Sequence, residues 1–177
     1  MVYNAPALGN YFHLGEIRMK RFSLVLTLFL SLTIGLLVSH QAPAIEKISP
    51  DAKAVEVINK LLAAFSLTDS ELRLKAVIPL LHKSMYTNDG KDLSKNVKDF
   101  SYKKAVENVK FYSIPAVITE VHKGNVTAIG FKETAERGRT DKYFVGKKDA
   151  KNGRPAPIHI FFPENGGEPK VVNIGSL

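Results

Sequence analysis

The sequence predicts an α+β domain in which N-terminal helices pack on a curved antiparallel sheet. Two observations carry this prediction. From residue 49 to residue 110, apolar side chains recur three or four positions apart, as in helices, and from residue 111 they recur at every second position, as in strands. Short turns rich in Gly and Asn separate the later segments, which is typical of strands joined by hairpins.

The first two helices have recognisable start signals. Ser49-Pro50-Asp51 combines an N-cap residue, a proline suited to the first helical position and an acid favoured by the helix dipole. A second helix is predicted to begin with a capping box from Thr68 to Glu71 and to be broken by Pro79. The apolar stripe of the first helix comprises Val55, Ile58, Leu61, Leu62 and Phe65.

A third helix and five strands follow. Asp99 or Ser101 is predicted to cap the helix, whose stripe is Tyr102, Ala105, Val106 and Val109. Gly124-Asn125 is predicted to be a two-residue hairpin turn, and Glu136-Arg137-Gly138 the next turn. Ile158 to Phe162 is the most apolar strand and is therefore predicted to be central. The strands are expected at 117–122, 126–133, 143–145, 158–162 and 171–174.

This order and length of elements, from about Ser49 to Leu177, resembles the nuclear transport factor 2-like superfamily of cone-shaped domains. The superfamily also contains ketosteroid isomerases and polyketide cyclases. The resemblance implies that N-terminal helices cover the concave side of the sheet. The carboxylate and tyrosine pair of the isomerases has no counterpart at matching positions, so the resemblance implies a fold and not an activity. A cystatin-like sheet wrapped on one helix is the alternative.

The N-terminal region has the three parts of a secretory signal peptide. A basic head at 18–21 precedes the uncharged run from Phe22 to Val38, and Ala42-Pro43-Ala44 follows. We expect a signal at 19–44, cleavage between Ala44 and Ile45, and a single domain at 45–177. Because the run of 17 residues is at the lower limit for crossing a bilayer, an uncleaved anchor at 22–38 is the alternative. Residues 1–18 fit neither part and suggest a start site assigned too early, or a disordered segment.

The chain contains no cysteine, which excludes disulfides, thiolate metal sites and a cysteine nucleophile. An exported domain without disulfides is typical of a bacterial protein, so we expect a periplasmic or extracellular location. The histidines show neither i, i+4 spacing nor an H-E-x-x-H pattern, and no phosphate- or dinucleotide-binding motif occurs. Neither a metal nor another cofactor is therefore predicted.

Candidate pocket residues combine an apolar body with a polar group. His159 lies between Ile158 and Ile160, which point to the opposite face of their strand. If its face lines a cavity, His159 is a candidate acid or base, with Glu120 or Glu133 as a proton-transfer partner. The alternative is a packed interior histidine. At a predicted helix end, His82 is expected to be a protonated cap. The full set is His159, Tyr86, Tyr112, Tyr143, His122 and His82.

The basic residues are concentrated in two segments. Residues 91–110 hold six lysines against three acids, and residues 132–154 hold eight basic residues against four acids. Attraction to an anionic envelope component is one explanation, and a solvated surface is the other. A nucleic-acid partner is not expected for an exported protein.

Three functions follow from these observations. The first is a non-catalytic exported module that binds a small apolar ligand or an envelope component. The others are a small-pocket enzyme that transfers protons through His159, and a homodimerising interaction domain.

We predict that the protein isolated from its natural host begins at Ile45, because Ala42-Pro43-Ala44 follows an apolar run that is short for a membrane span. Mass spectrometry of the N-terminal peptide measures this directly. Recovery of chains that still begin at Met19, in membranes washed with carbonate, would support the anchor instead.

Overall fold

The computed structural model describes residues 48–130, 135–175 and 177. Glu46–Leu177 forms a compact unit of its own. The predicted signal at 19–44, its cleavage site at Ala44 and Ile45, and the alternative anchor at 22–38 lie outside the described residues. Within the described ranges, no helix has the length and apolar character needed to cross a bilayer.

The helices precede the sheet, and the predicted α+β class is confirmed. Helix α1 spans Ala52–Phe65, α2 spans Ser70–Val77 and α3 spans Lys103–Asn108. Shorter turns connect these helices, namely the 3₁₀ turns Ile78–Leu80, Lys83–Met85 and Val109–Phe111 and the π-helical turn Val97–Tyr102.

The N-cap of helix α1 lies two residues after the predicted one. Asp51 is the N-cap, and its carboxylate accepts hydrogen bonds from the backbone amides of Lys53 at 2.9 Å and Ala54 at 3.1 Å. The prediction of Ser49 as the cap is wrong, because the charged acceptor sits where the dipole and the free amides both favour it. The buried stripe is close to the predicted one and consists of Ala54, Val57, Ile58, Leu61, Leu62, Ala64 and Phe65.

The other two predicted helix starts are also displaced. Asp69, and not Thr68, caps α2 by accepting from the amides of Glu71 and Leu72. The third helical segment begins before the π-helical turn. Asp99 and Ser101 therefore lie inside this segment and do not cap it. Its predicted core residues Ala105 and Val109 are buried.

The five strands form one antiparallel sheet in which β3 has three partners. Strand β3 pairs with β1, β2 and β4, and β4 also pairs with β5. The predicted central strand is therefore an inner one. The strands are β1 (Ile118–His122), β2 (Val126–Ile129), β3 (Glu136–Val145), β4 (Ala156–Pro163) and β5 (Lys170–Asn173).

The predicted hairpin at Gly124-Asn125 is wrong. Strands β1 and β2 do not pair with each other but follow one another along the same edge of β3. Gly124 lies at the break between them, where its amide donates to the buried carboxylate of Asp141 at 3.1 Å. A Cβ at position 124 would lie 1.9 Å from the carbonyl oxygen of Thr140, so this glycine permits close approach of two backbones.

The predicted turn at Glu136-Arg137-Gly138 is also wrong, because these residues are the first three of β3. Gly138 pairs with Pro163, and a Cβ at position 138 would lie 2.5 Å from the ring of Phe161. The glycine is needed to make room for this ring on the sheet surface, not to reverse the chain.

We predict that Ile160→Asp prevents folding, because Ile160 is fully buried on β4 between β3 and β5. An unpaired carboxylate there costs several kcal/mol, comparable with the stability of a whole domain. The matched control is Val126→Asp on β2, where the side chain is 48% exposed and the expected change is within about 1 kcal/mol. Circular dichroism during thermal unfolding measures both. Equal stability of the two variants would mean that the core is misplaced.

Candidate functional site

Register assigns the side chains of β3 and β4 to two faces of the sheet. Tyr143 and Ile158 are paired, buried and part of the core under the helices. The alternate residues Lys142 and His159 are paired with each other and belong to the opposite face. Phe161 also lies on that opposite face, yet it is fully buried. Something other than the helices therefore covers this part of the sheet.

His82 supplies part of that cover. The chain passes beside β5 here, where Leu81 bridges to Val171 and the amide of His82 donates to the carbonyl of Val171 at 2.8 Å. The His82 side chain is 3% exposed, and its ring meets the ring of Phe161 edge to face with centroids 5.1 Å apart. Backbone pairing and aromatic packing thus fix the position of the imidazole.

The hydrogen bonds of His82 define its tautomer. Its Nδ1 accepts from the backbone amide of Ser84 at 3.2 Å and lies 2.8 Å from the Ser84 hydroxyl. In the neutral ring, Nε2 therefore carries the proton. Nε2 is buried and has no hydrogen-bond partner among the described residues. Burial lowers the pKa of His82, and the nearby Glu136 offsets only part of this effect. The predicted protonated cap is wrong, because His82 caps the following 3₁₀ turn as a neutral acceptor.

Glu136 stands opposite this ring. Its Oε2 atom lies 3.4 Å from Nε2 of His82 and 3.4 Å from Nζ of Lys83. Both distances exceed that of an ordinary hydrogen bond, so these contacts are electrostatic. The Glu136 side chain is 29% exposed and that of Lys83 46% exposed, so the group opens to solvent on one side.

These three side chains border a cavity of about 240 Å³. It brings together His82 and Tyr86, two of the residues predicted from the sequence as pocket candidates. The remaining lining includes both apolar and polar groups and comprises Leu81, Lys83, Glu136, Pro163, Asn165, Gly167, Glu168 and Lys170. Within the described ranges, no group of three or more residues is arranged to hold a metal ion.

His159 and His122 lie elsewhere, on the same face of the sheet. Pairing places His122, Lys142, His159 and Asn173 in one row across four strands. His122 is half exposed, and its ring is hydrogen-bonded to Glu120. Burial lowers the pKa of His159, and the charge of Lys142 lowers it further. The ring of His159 is therefore neutral at pH 7, and it does not line the cavity at His82.

The other two tyrosine candidates are buried. Tyr143 is 1% exposed, and burial raises its pKa to about 12 although its hydroxyl is bonded to the backbone of Asp51. Tyr112 is 3% exposed, and burial raises its pKa as well. Neither lines the cavity at His82. Tyr143 instead connects the sheet to the start of α1.

A second candidate surface forms where the two basic segments meet. Lys148 donates from its backbone amide to the carbonyl of Phe111 at 2.8 Å and from its Nζ to the carbonyl of Lys110 at 3.1 Å. Lys147 bridges to Tyr112 through the backbone. We call this surface the basic edge and define it as Lys110, Lys147, Lys148 and Lys151. In the described part of the chain, the side-chain ammonium groups of these four lysines have no carboxylate within 4.0 Å, whereas the backbone amide of Lys151 donates to the carboxylate of Asp149 at 2.9 Å.

Sequence reasoning missed Glu136 and Lys83. The composition around Glu136 predicts a turn, and Lys83 has no pattern that distinguishes it from other surface lysines. The acids considered were Glu120, which is half exposed beside His122, and Glu133, which lies outside the described residues. No local signal identifies Glu136, because its proximity to His82 depends entirely on how the sheet folds.

No protein-family model, curated protein or solved structure matches this chain.

We predict that acid weakens the fold through the buried histidines. Since burial lowers the pKa of both His82 and His159, the unfolded chain binds more protons than the folded chain below about pH 6.5. The free energy of unfolding is therefore largest above about pH 6.5 and decreases as the pH falls below that value. Urea unfolding at several pH values measures this slope.

His82→Gln removes one of these groups and should flatten the slope. The matched control is His122→Gln, which makes the same substitution at a half-exposed histidine, and the flattening is measured relative to this variant. An unchanged slope in the His82 variant would contradict the assignment of a buried, neutral ring.

Proposed function

We propose that this domain is an exported, non-catalytic binding module that attaches to an anionic membrane surface through the basic edge. The observation that carries this proposal is the joining of the two basic segments at Lys110, Lys147 and Lys148. Each lysine near an anionic bilayer contributes about 1 kcal/mol. Four such lysines on one surface give an attraction of about 4 kcal/mol at low salt.

The amines of the basic edge are held in place by aromatic rings and carbonyls. Nζ of Lys110 lies 5.2 Å from the ring centroid of Phe111, and Nζ of Lys147 lies 5.9 Å from the centroids of both Phe111 and Tyr112. Lys147 also donates to the carbonyl of Asn152 at 2.6 Å. Side chains fixed in this way lose less conformational entropy when an anionic partner binds.

Exposed apolar side chains adjoin the basic edge and favour a lipid surface over a purely ionic polymer. Val117 is 55% exposed, and its carbonyl accepts from the amide of Gly146, next to Lys147, at 2.7 Å. Ile114 is 51% exposed in the same segment. Basic residues beside exposed apolar ones are typical of proteins that rest in the interfacial region of a bilayer.

Two other functions predicted from the sequence, a homodimer and an enzyme, are each supported by fewer observations. A homodimer is favoured by the outer edge of β1 and β2, with which no described strand pairs and where Val126 is 48% exposed. Proton transfer by His159 is supported by its neutral ring on the face opposite the helices. A small apolar ligand has less support, because charged side chains line the cavity at His82 together with apolar ones.

Vesicle binding tests the proposal with the chain that starts at Ile45, which contains the whole compact unit. The variant Lys147→Gln with Lys148→Gln should bind vesicles containing phosphatidylglycerol about thirtyfold more weakly, because two lysines contribute about 2 kcal/mol. The control is Lys60→Gln with Lys75→Gln, which removes the same charge from exposed pairs on α1 and α2.

Co-sedimentation at increasing salt measures the affinity. We expect binding to the anionic vesicles to fall with salt and no binding to vesicles of phosphatidylcholine alone. Equal losses in the two double variants would show that only net charge matters. Binding to a soluble anionic polymer but not to vesicles would contradict the choice of lipid.

A further inference from the structure

The segment that leads from the basic edge into β1, residues 111–119, contains no charged residue. Three of its aliphatic side chains are exposed, namely Ile114 at 51%, Val117 at 55% and Pro115. We call these three residues the apolar tip. Because no charge lies among them, the apolar tip can leave water without the cost of desolvating an ionised group.

The lysines of the basic edge border this segment. Lys110 directly precedes it in the chain. Lys148 donates from its backbone amide to the carbonyl of Phe111 at 2.8 Å, and Lys147 bridges to Tyr112 through the backbone. Positive charge and exposed aliphatic surface therefore adjoin each other on one part of the domain.

Hydrogen bonds hold the backbone of the apolar tip against the rest of the domain. The amide of Ala116 donates to the side-chain oxygen of Asn59 on α1 at 2.7 Å. The carbonyl of Val117 accepts from the amide of Gly146, which follows β3, also at 2.7 Å. A loop held in this way keeps its side chains exposed and loses little conformational entropy when they are buried by a partner.

Phe100 is 68% exposed but is less suited to contact with an anionic bilayer. Its surroundings form a surface groove that contains Asp99 and Glu107 as well as Lys103 and Lys104. Embedding Phe100 would bring two carboxylates close to anionic headgroups and would cancel the attraction of the two lysines. The apolar tip has no such acids within its own segment.

The size and composition of the apolar tip favour lipid over a protein partner. Three aliphatic side chains provide far less than the about 800 Å² that each partner buries in a stable protein interface. The exposed members also include no aromatic residue or arginine, the types that dominate the binding energy of such interfaces. Insertion into a bilayer requires no complementary shape, because its free energy follows from the apolar area removed from water.

We propose that the apolar tip inserts about 5–10 Å into an anionic phospholipid bilayer, to the boundary between headgroups and acyl chains, while the basic edge contacts the phosphates. This inference rests on the proposed attachment to an anionic membrane and assigns its hydrophobic part to Ile114, Pro115 and Val117. Salt screens the attraction of the lysines but does not screen the burial of aliphatic side chains.

Tryptophan fluorescence tests insertion directly, because the chain contains no tryptophan. Ile114→Trp is compared with Leu72→Trp, which places the reporter on α2 at a side chain that is 57% exposed. Both variants are made in the chain that starts at Ile45 and are mixed with phosphatidylglycerol vesicles. We expect the emission of the Ile114 variant alone to move to shorter wavelength and to be quenched by lipids brominated on the acyl chain.

Affinity at two salt concentrations separates burial from charge. Ile114→Ser should weaken co-sedimentation with these vesicles about fivefold at both concentrations, because half of an isoleucine side chain no longer leaves water. The loss in Lys147→Gln with Lys148→Gln should instead shrink as salt rises. Leu72→Ser is the matched control and should bind as the parent does.

The outcomes distinguish this inference from the proposal on which it rests. If the Ile114→Trp chain sediments with vesicles but its emission does not change, the attachment stands and insertion of the apolar tip is wrong. Equal shifts in emission for the Ile114 and Leu72 variants would also overturn insertion at this tip. If the parent chain does not bind anionic vesicles, both proposals fail.

Discussion

The pairing of β3 with β4 is the constraint on which the other features of this domain depend. Eight residue pairs, from Gly138 with Pro163 to Val145 with Ala156, hold the two strands in one register. This register directs Ile158 and Ile160 toward the helices and His159 and Phe161 away from them. Since side chains alternate along a strand, a slip of one residue would exchange the two faces and expose the core. On this opposite face, the ring of His82 packs edge to face on Phe161, and His82 also borders the cavity.

The sequence was sufficient for the elements whose pattern is local. The stripe of α1 from Ile58 to Phe65 and the apolar run of β4 follow from spacing alone, because helix and strand periods are properties of short segments. Partner choice is not local. Gly124-Asn125 has the composition of a hairpin turn, yet β1 and β2 both pair with β3, and the break between them is stabilised by the buried carboxylate of Asp141. A turn motif indicates which backbone conformations its residues adopt easily. It does not determine which strands pair with each other.

The same limit applies to the candidate site. His82 and Tyr86 were predicted as pocket residues because each combines a polar group with an apolar body, and the structure places both at one cavity. Glu136 could not be predicted, since its approach to His82 requires the start of β3 to meet a segment that runs beside β5. The protonation state of His82 was predicted wrongly for a related reason. Position near a helix end favours a charged ring, whereas burial, which only the fold determines, favours a neutral one.

The basic edge and the cavity at His82 differ in how water and salt screen their charges. The ammonium groups of the basic edge have no carboxylate within 4.0 Å in the described ranges, so their attraction acts over about a Debye length and favours an extended anionic surface. At the cavity, His82 is neutral and the surrounding charges cancel, so attraction there requires hydrogen bonds at contact distance. Salt is therefore expected to weaken the proposed attachment through the lysines more than any binding at the cavity.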